Sequence, residues 1–100
     1  MKRMLVRYRT KPEKAEQNQQ LIARVFEELQ ARSPDNVRYL VLKLEDGTFL
    51  HFVTVENEDG TSLIPGLDAF RSFQEGVRER CIEPPQSQAA VVVGSYRMAE

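Results

Sequence analysis

Two β-prone runs, Val37 to Leu44 and Thr48 to Glu56, are separated only by Glu45-Asp46-Gly47. Runs rich in β-branched and aromatic residues, joined by a short acidic loop ending in glycine, are the signature of a β-hairpin. The rest of the chain must pack around this unit. Upstream, Arg3 to Arg9 reads as a strand. Thr10 and Glu13 then have the spacing of a capping box, and Pro12 suits a first helical turn. From Glu13 to about Arg32, Ala15, Ile22, Val25, Phe26 and Leu29 recur at threes and fours, which predicts an amphipathic helix stopped by Ser33-Pro34-Asp35-Asn36. Downstream, residues 57–62 form a polar loop, and Pro65-Gly66 introduces a second helix with Leu67, Phe70, Phe73, Val77 and Cys81 on one side. Gly76 lies inside that helix without a propensity rationale. Glu83-Pro84-Pro85 is expected to end it, and Ala89 to Tyr96, with Val91-Val92-Val93, to form the last strand.

The order β-α-β-β-α-β predicts an α+β, ferredoxin-like fold: one domain over residues 1–100, with a four-stranded antiparallel sheet and both helices on one face. A domain of this length buries only roughly 60–65% of its unfolded surface, so association would help it. The uncovered sheet face is expected to be completed by a second copy of the chain.

Side chains alternate along a strand, so Met4, Val6 and Tyr8 oppose Arg3, Leu5, Arg7 and Arg9. Burying several unpaired arginines under helices is costly, which assigns their side to the open face. The hairpin has two readings. A three-residue Glu45-Asp46-Gly47 loop pairs Leu44 with Thr48, collects Leu40, Leu42, Leu50 and Phe52 as a core face, and puts Tyr39, Val41, Lys43, Phe49, His51 and Val53 on the open face. A two-residue Asp46-Gly47 turn instead sets His51 beside Leu40 and Leu42. On the first reading Arg7, Tyr39 and His51 share an open-face concavity and form the candidate site. The alternative gives them structural duties: a hydrogen-bonded His51, an Arg7 paired with an acidic neighbour, and a packed Tyr39.

A net charge of -1 and a pI near 5.9 offer no long-range attraction to nucleic acid or to an anionic membrane, and neither is expected as a partner. Thr48 to Val55 resembles the third-strand aromatic motif of RNA-recognition modules, but the motif's basic residue and glycines are missing. No run reaches the ~18 apolar residues of a membrane span, and Arg7 and Arg9 interrupt any signal-peptide core. A cytoplasmic location is expected. Phosphate loops, H-E-x-x-H, CxxC and nucleophile-elbow patterns are missing. With one His and one Cys, a single copy cannot assemble a structural zinc site, and no cofactor or metal is expected. Cys81 reads as a packed thiol at a helix C-terminus.

The strand running into Lys11-Pro12-Glu13 before a long helix, the hairpin with Phe49-Leu50-His51-Phe52-Val53, and the second helix with Ala69-Phe70 and Phe73 resemble the antibiotic-biosynthesis-monooxygenase-like family. This resemblance implies a dimeric α+β barrel: a homodimer whose sheets pack face to face, each protomer keeping a small cavity. Some members oxygenate polycyclic phenols without metal or flavin, and others degrade haem with a tryptophan, an asparagine and a histidine. This chain has no Trp. One expectation is therefore a cofactor-independent monooxygenase for a small aromatic or quinone, with His51 accepting a proton, Tyr39 orienting substrate and Arg7 stabilising an oxyanion. The alternatives are a non-catalytic, dimeric small-molecule-binding or regulatory module, and a structural subunit for another chain.

Overall fold

The computed structural model describes residues 1–98. In chain order it comprises β1 (Lys2–Thr10), α1 (Ala15–Arg32), β2 (Val37–Lys43), β3 (Thr48–Val55), α2 (Asp68–Gln74), the single turn α3 (Val77–Arg80) and β4 (Cys81–Ala89), with 3-10 turns at Pro12–Lys14 and Ile64–Gly66. The four strands form one antiparallel sheet in the order β2-β3-β1-β4. This is the ferredoxin-like arrangement expected from the element order. Val25 and Leu29 of α1 and Phe73 of α2 join Tyr8, Phe49, Leu67 and Ile64 in one core on a single face of the sheet.

The hairpin adopts the three-residue reading. The Leu44 amide donates to the Thr48 carbonyl, Leu42 faces Leu50, and Gly47 takes the left-handed conformation at φ 89° that its missing Cβ permits. The two sides of the sheet, however, are the reverse of those expected for the hairpin. Val6 pairs with His51 and Tyr8 with Phe49, so these side chains share the helix-covered face. Leu5, Phe52 and Leu40 line up across the opposite face, as do Arg7, Leu50 and Leu42. The more leucine-rich side of the hairpin is thus uncovered, with Leu40, Leu42 and Phe52 exposed. The pairing of β1 with β3 decides this. It is non-local, and intrinsic hydrophobicity alone points the wrong way.

The C-terminal third also differs from expectation. The second helix breaks at Glu75, which is extended, and at Gly76, whose φ is 75°. That bend is the reason for a glycine in mid-helix. The last strand then begins at Cys81, includes Pro84 and Pro85, and ends at Ala89. Two register shifts fall between Arg7 and Thr10 of β1, and the prolines lie in the first of them on an edge strand. Proline removes no ladder bond at such a bulge, so it does not end the element here. Val91 to Val93 are outside any strand and exposed. Nor does Thr10 cap a helix: it remains in β1, donating its amide to the Gly47 carbonyl.

Gly76→Ala is expected to lower stability by about 1–2 kcal/mol, because a Cβ disfavours the left-handed conformation. Gly66→Ala, whose added methyl would meet open space beyond its own turn and chain neighbours among the described residues, should lose little. Urea unfolding of both variants checks this, and equal losses would remove the conformational explanation.

Candidate functional site

Asn18 begins the site. It sits three residues after Ala15 and four before Ile22, on the apolar stripe of α1, and is fully buried. A buried amide needs partners. Its Nδ2 donates to the Tyr8 hydroxyl at 2.8 Å, while its Oδ1 accepts from Arg80 Nε at 3.1 Å. The Tyr8 hydroxyl is 2.8 Å from His51 Nε2, and His51 Nδ1 is 2.8 Å from the Tyr39 hydroxyl. Five side chains from α1, β1, β2, β3 and α3 therefore form one continuous chain, Arg80–Asn18–Tyr8–His51–Tyr39.

Arg80 anchors it. Although only 4% exposed, it makes none of the ion pairs found among the described residues. Its NH1 donates to the Glu75 carbonyl at 3.0 Å and its NH2 to the Phe73 carbonyl at 2.6 Å, covering orphan acceptors at the end of α2. Its guanidinium also lies 5.4 Å from the Phe73 ring centre. The Gly76 bend brings Arg80 back to these carbonyls. α2 is held at its other end by Glu28, whose Oε1 accepts the Ala69 amide.

Burial shapes the proton affinities. It pulls His51 down to about 4, leaving a neutral imidazole at pH 7, and pushes Tyr39 up to about 12. Tyr8 is also raised by burial, against the lowering effect of the Asn18 hydrogen bond. Both ring nitrogens of His51 are occupied by tyrosines, so His51 reaches a ligand only through them.

The chain opens onto a cavity of about 290 Å³ between the sheet and α2. Tyr8, Tyr39, His51, Phe70 and Phe73 give it an aromatic wall, with Met4, Val6, Val53 and Val77 adding apolar surface. This volume is at the small end of ligand pockets, which run from roughly 300 Å³ upward.

Of the residues expected to form a site, His51 and Tyr39 do meet, but on the helix-covered side of the sheet rather than the open one. Arg7 does not join them. It projects from the other face and donates to Glu83 Oε1 at 3.0 Å, with Arg9 pairing to the same carboxylate. Alternation along β1 makes it impossible for Arg7 to share a face with Tyr8. Sequence reasoning missed Asn18, Tyr8 and Arg80. Asn18 had a legible signal, a polar residue on an apolar helical stripe, whereas Arg80 depends on the two-residue bend at Glu75 and Gly76. Cys81, expected at a helix C-terminus, opens β4 as a buried thiol raised by that burial. Among the described residues no group of three His, Cys, Asp or Glu could hold a metal, and no helix is long and apolar enough to cross a membrane.

No protein-family model matches the sequence, and no curated protein matches it. Solved structures do. A protein from Nitrosomonas europaea, provisionally named an antibiotic biosynthesis monooxygenase, is similar with a TM-score of 0.73 at 18% identity, over 94% of this chain and all of its own. One from Caulobacter crescentus CB15, provisionally named likewise, has a TM-score of 0.75 at 14% identity, over 93% of this chain and 90% of its own. Another Nitrosomonas europaea protein, described as of unknown function, has a TM-score of 0.72 at 16% identity, over 99% and 95%. The resemblance to the antibiotic-biosynthesis-monooxygenase-like family holds at the level of the fold.

Proposed function

We propose that the chain is a cofactor-independent monooxygenase for a small aromatic substrate of phenol, anthrone or quinol type, working as a homodimer. The observation that carries this reading is the aromatic cavity with the Tyr39–His51–Tyr8 chain at its wall. In it, Tyr39 contacts the substrate's ring oxygen, and His51, neutral behind it, orients the hydroxyl and acts through it. Arg7 has no part in this, since it lies across the sheet. With an anthrone-like methylene, one atom of O2 becomes a ring carbonyl and the other leaves as water with both methylene hydrogens. The substrate supplies all the electrons.

The homodimer would form through the open face. Leu5, Phe52, Leu40, Leu50 and Leu42 point outward there, while Arg7 and Arg9 share the one carboxylate of Glu83 and Arg38 pairs with Glu56. A second copy would therefore meet apolar surface, with these arginines already held by carboxylates of their own protomer.

Anthrone and naphthohydroquinone are expected to give protein-dependent oxygen uptake that falls at least about tenfold in Tyr39→Phe, which keeps the ring and loses the hydroxyl. Uptake equal to that of protein-free buffer, or unaffected by the substitution, would overturn the enzyme. A second reading, a binding module without chemistry, is favoured by the full occupancy of His51's nitrogens. It predicts saturable binding of the same compounds with no oxygen uptake. Light scattering at micromolar concentration should give the dimer mass, and a monomer would overturn that part.

A further inference from the structure

The buried chain from Arg80 to Tyr39 has a direction, and that direction selects what the cavity holds. Arginine can only donate. Because Arg80 Nε faces the Asn18 amide, the atom it meets must be the oxygen, which turns Asn18 Nδ2 toward Tyr8. The Tyr8 oxygen therefore accepts from Asn18. Tyr8 is 1% exposed, and among the described residues its hydroxyl has only one other partner, His51 Nε2. Its own proton must go there, or a buried O–H would be left without an acceptor, at a cost of about 1–3 kcal/mol. Nε2 is thus the acceptor, the neutral imidazole carries its proton on Nδ1, and Nδ1 donates to the Tyr39 oxygen. The Tyr39 proton has no protein acceptor among the described residues, and Tyr39 lines the cavity.

We infer that Arg80 and Asn18, neither of which lines the cavity, polarise the chain so that Tyr39 presents a hydrogen-bond donor to a ligand bearing an acceptor oxygen, a ring carbonyl or a phenolate. The ligand half rests on the reading of the cavity as a binding site. The tautomer half does not. Both are positioning roles: Arg80 fixes the Asn18 amide, which fixes every proton as far as Tyr39. Asn18→Asp should reverse the direction. A carboxylate at position 18 accepts from Arg80 and from the Tyr8 hydroxyl, so Tyr8 accepts from Nε2–H, Nδ1 accepts from Tyr39, and Tyr39 offers the cavity only an acceptor. The substitution keeps shape and sets a carboxylate beside a guanidinium, so the fold should be retained.

The test uses the only histidine in the chain, which makes its ring signals unambiguous. Nitrogen-15 NMR of the full chain at pH 7.5 should show Nδ1 protonated in the natural protein and Nε2 protonated in Asn18→Asp. Calorimetric titration with two bicyclic probes of similar size then reads the cavity: 1-indanone, which only accepts, and indole, which only donates. The natural protein should prefer indanone by on the order of tenfold, and Asn18→Asp should prefer indole by a similar factor. An Nε2–H tautomer in the natural protein overturns the polarity outright, whatever the variant does. A correct tautomer switch with no binding of either probe, or with an unaltered preference, overturns the ligand class and the cavity reading while the directed chain stands.

Discussion

Phe49→Ala is expected to destabilise the protein by about 3–5 kcal/mol, whereas Leu42→Ala near the end of β2 should cost less than about 1 kcal/mol of unfolding free energy in the monomer. Phe49 is 1% exposed and stacks on Tyr8 with ring centres 5.4 Å apart and planes 11° from parallel. Truncating it removes an aromatic ring from the middle of the core and leaves Tyr8, whose hydroxyl starts the bond to His51, without its platform. Leu42 is 43% exposed on the opposite face. Its expected effect appears in assembly: Leu42→Glu should shift a dimer to monomer in light scattering while leaving far-ultraviolet circular dichroism unchanged. Chemical unfolding of both alanine variants checks the assignment of faces. A larger loss at Leu42 than at Phe49 would mean that the sheet is covered on the other side.

Stability should fall as the pH is lowered from about 6.5 to about 4, by about 3 kcal/mol in total, because His51 is buried neutral. The sign follows from the order of protonation. In the unfolded chain the imidazole takes up a proton near 6.5, while in the folded protein burial delays this to about 4. Between the two values the unfolded state binds more protons, so acid favours it. Above 6.5 both states are neutral and the full stability is present; below about 4 this group contributes no further change. Its hydrogen-bond partners are the uncharged Tyr8 and Tyr39, and among the described residues no carboxylate hydrogen-bonds to it to offset the trend. At the alkaline end Tyr39, pushed up to about 12 by burial, ionises first in the unfolded chain, so stability should decline again above pH 10. Urea unfolding midpoints from pH 8 to 4.5, with the histidine ring followed by NMR in the folded protein, measure both quantities. A ring that titrates near 6.5 in the native state would contradict the neutral, tyrosine-bound His51.

The two errors about the site share one origin. Alternation along β1 correctly separated Arg7 from Tyr8, and the Glu45-Asp46-Gly47 loop correctly set Leu42 against Leu50. Joining those two local facts required the β1–β3 register, Val6 to His51, which no local signal carries. Hydropathy then chose the leucines for the core. In the structure His51 lies beneath the helices because Tyr8 and Tyr39 satisfy both of its nitrogens, which removes the cost of burying it.

Pro84 and Pro85 misled in a similar way. They stop a helix and are excluded from central strands, but β4 is an edge strand and they fall at a bulge, a position defined only by the neighbours. Periodicity and turn chemistry in the sequence by themselves determined the hairpin, the long helix and the β-α-β-β-α-β order, all of which depend on residues close together in the chain, and they narrowed the hairpin register to two readings, of which the structure adopts the three-residue one. The tertiary structure alone decided which sheet face is covered, where the last strand begins, and that Arg80, Asn18, Tyr8, His51 and Tyr39 touch. These depend on pairings between residues far apart in the chain, 62 positions for Arg80 with Asn18 and 71 for Thr10 with Cys81, where packing and hydrogen-bond satisfaction outweigh local propensity.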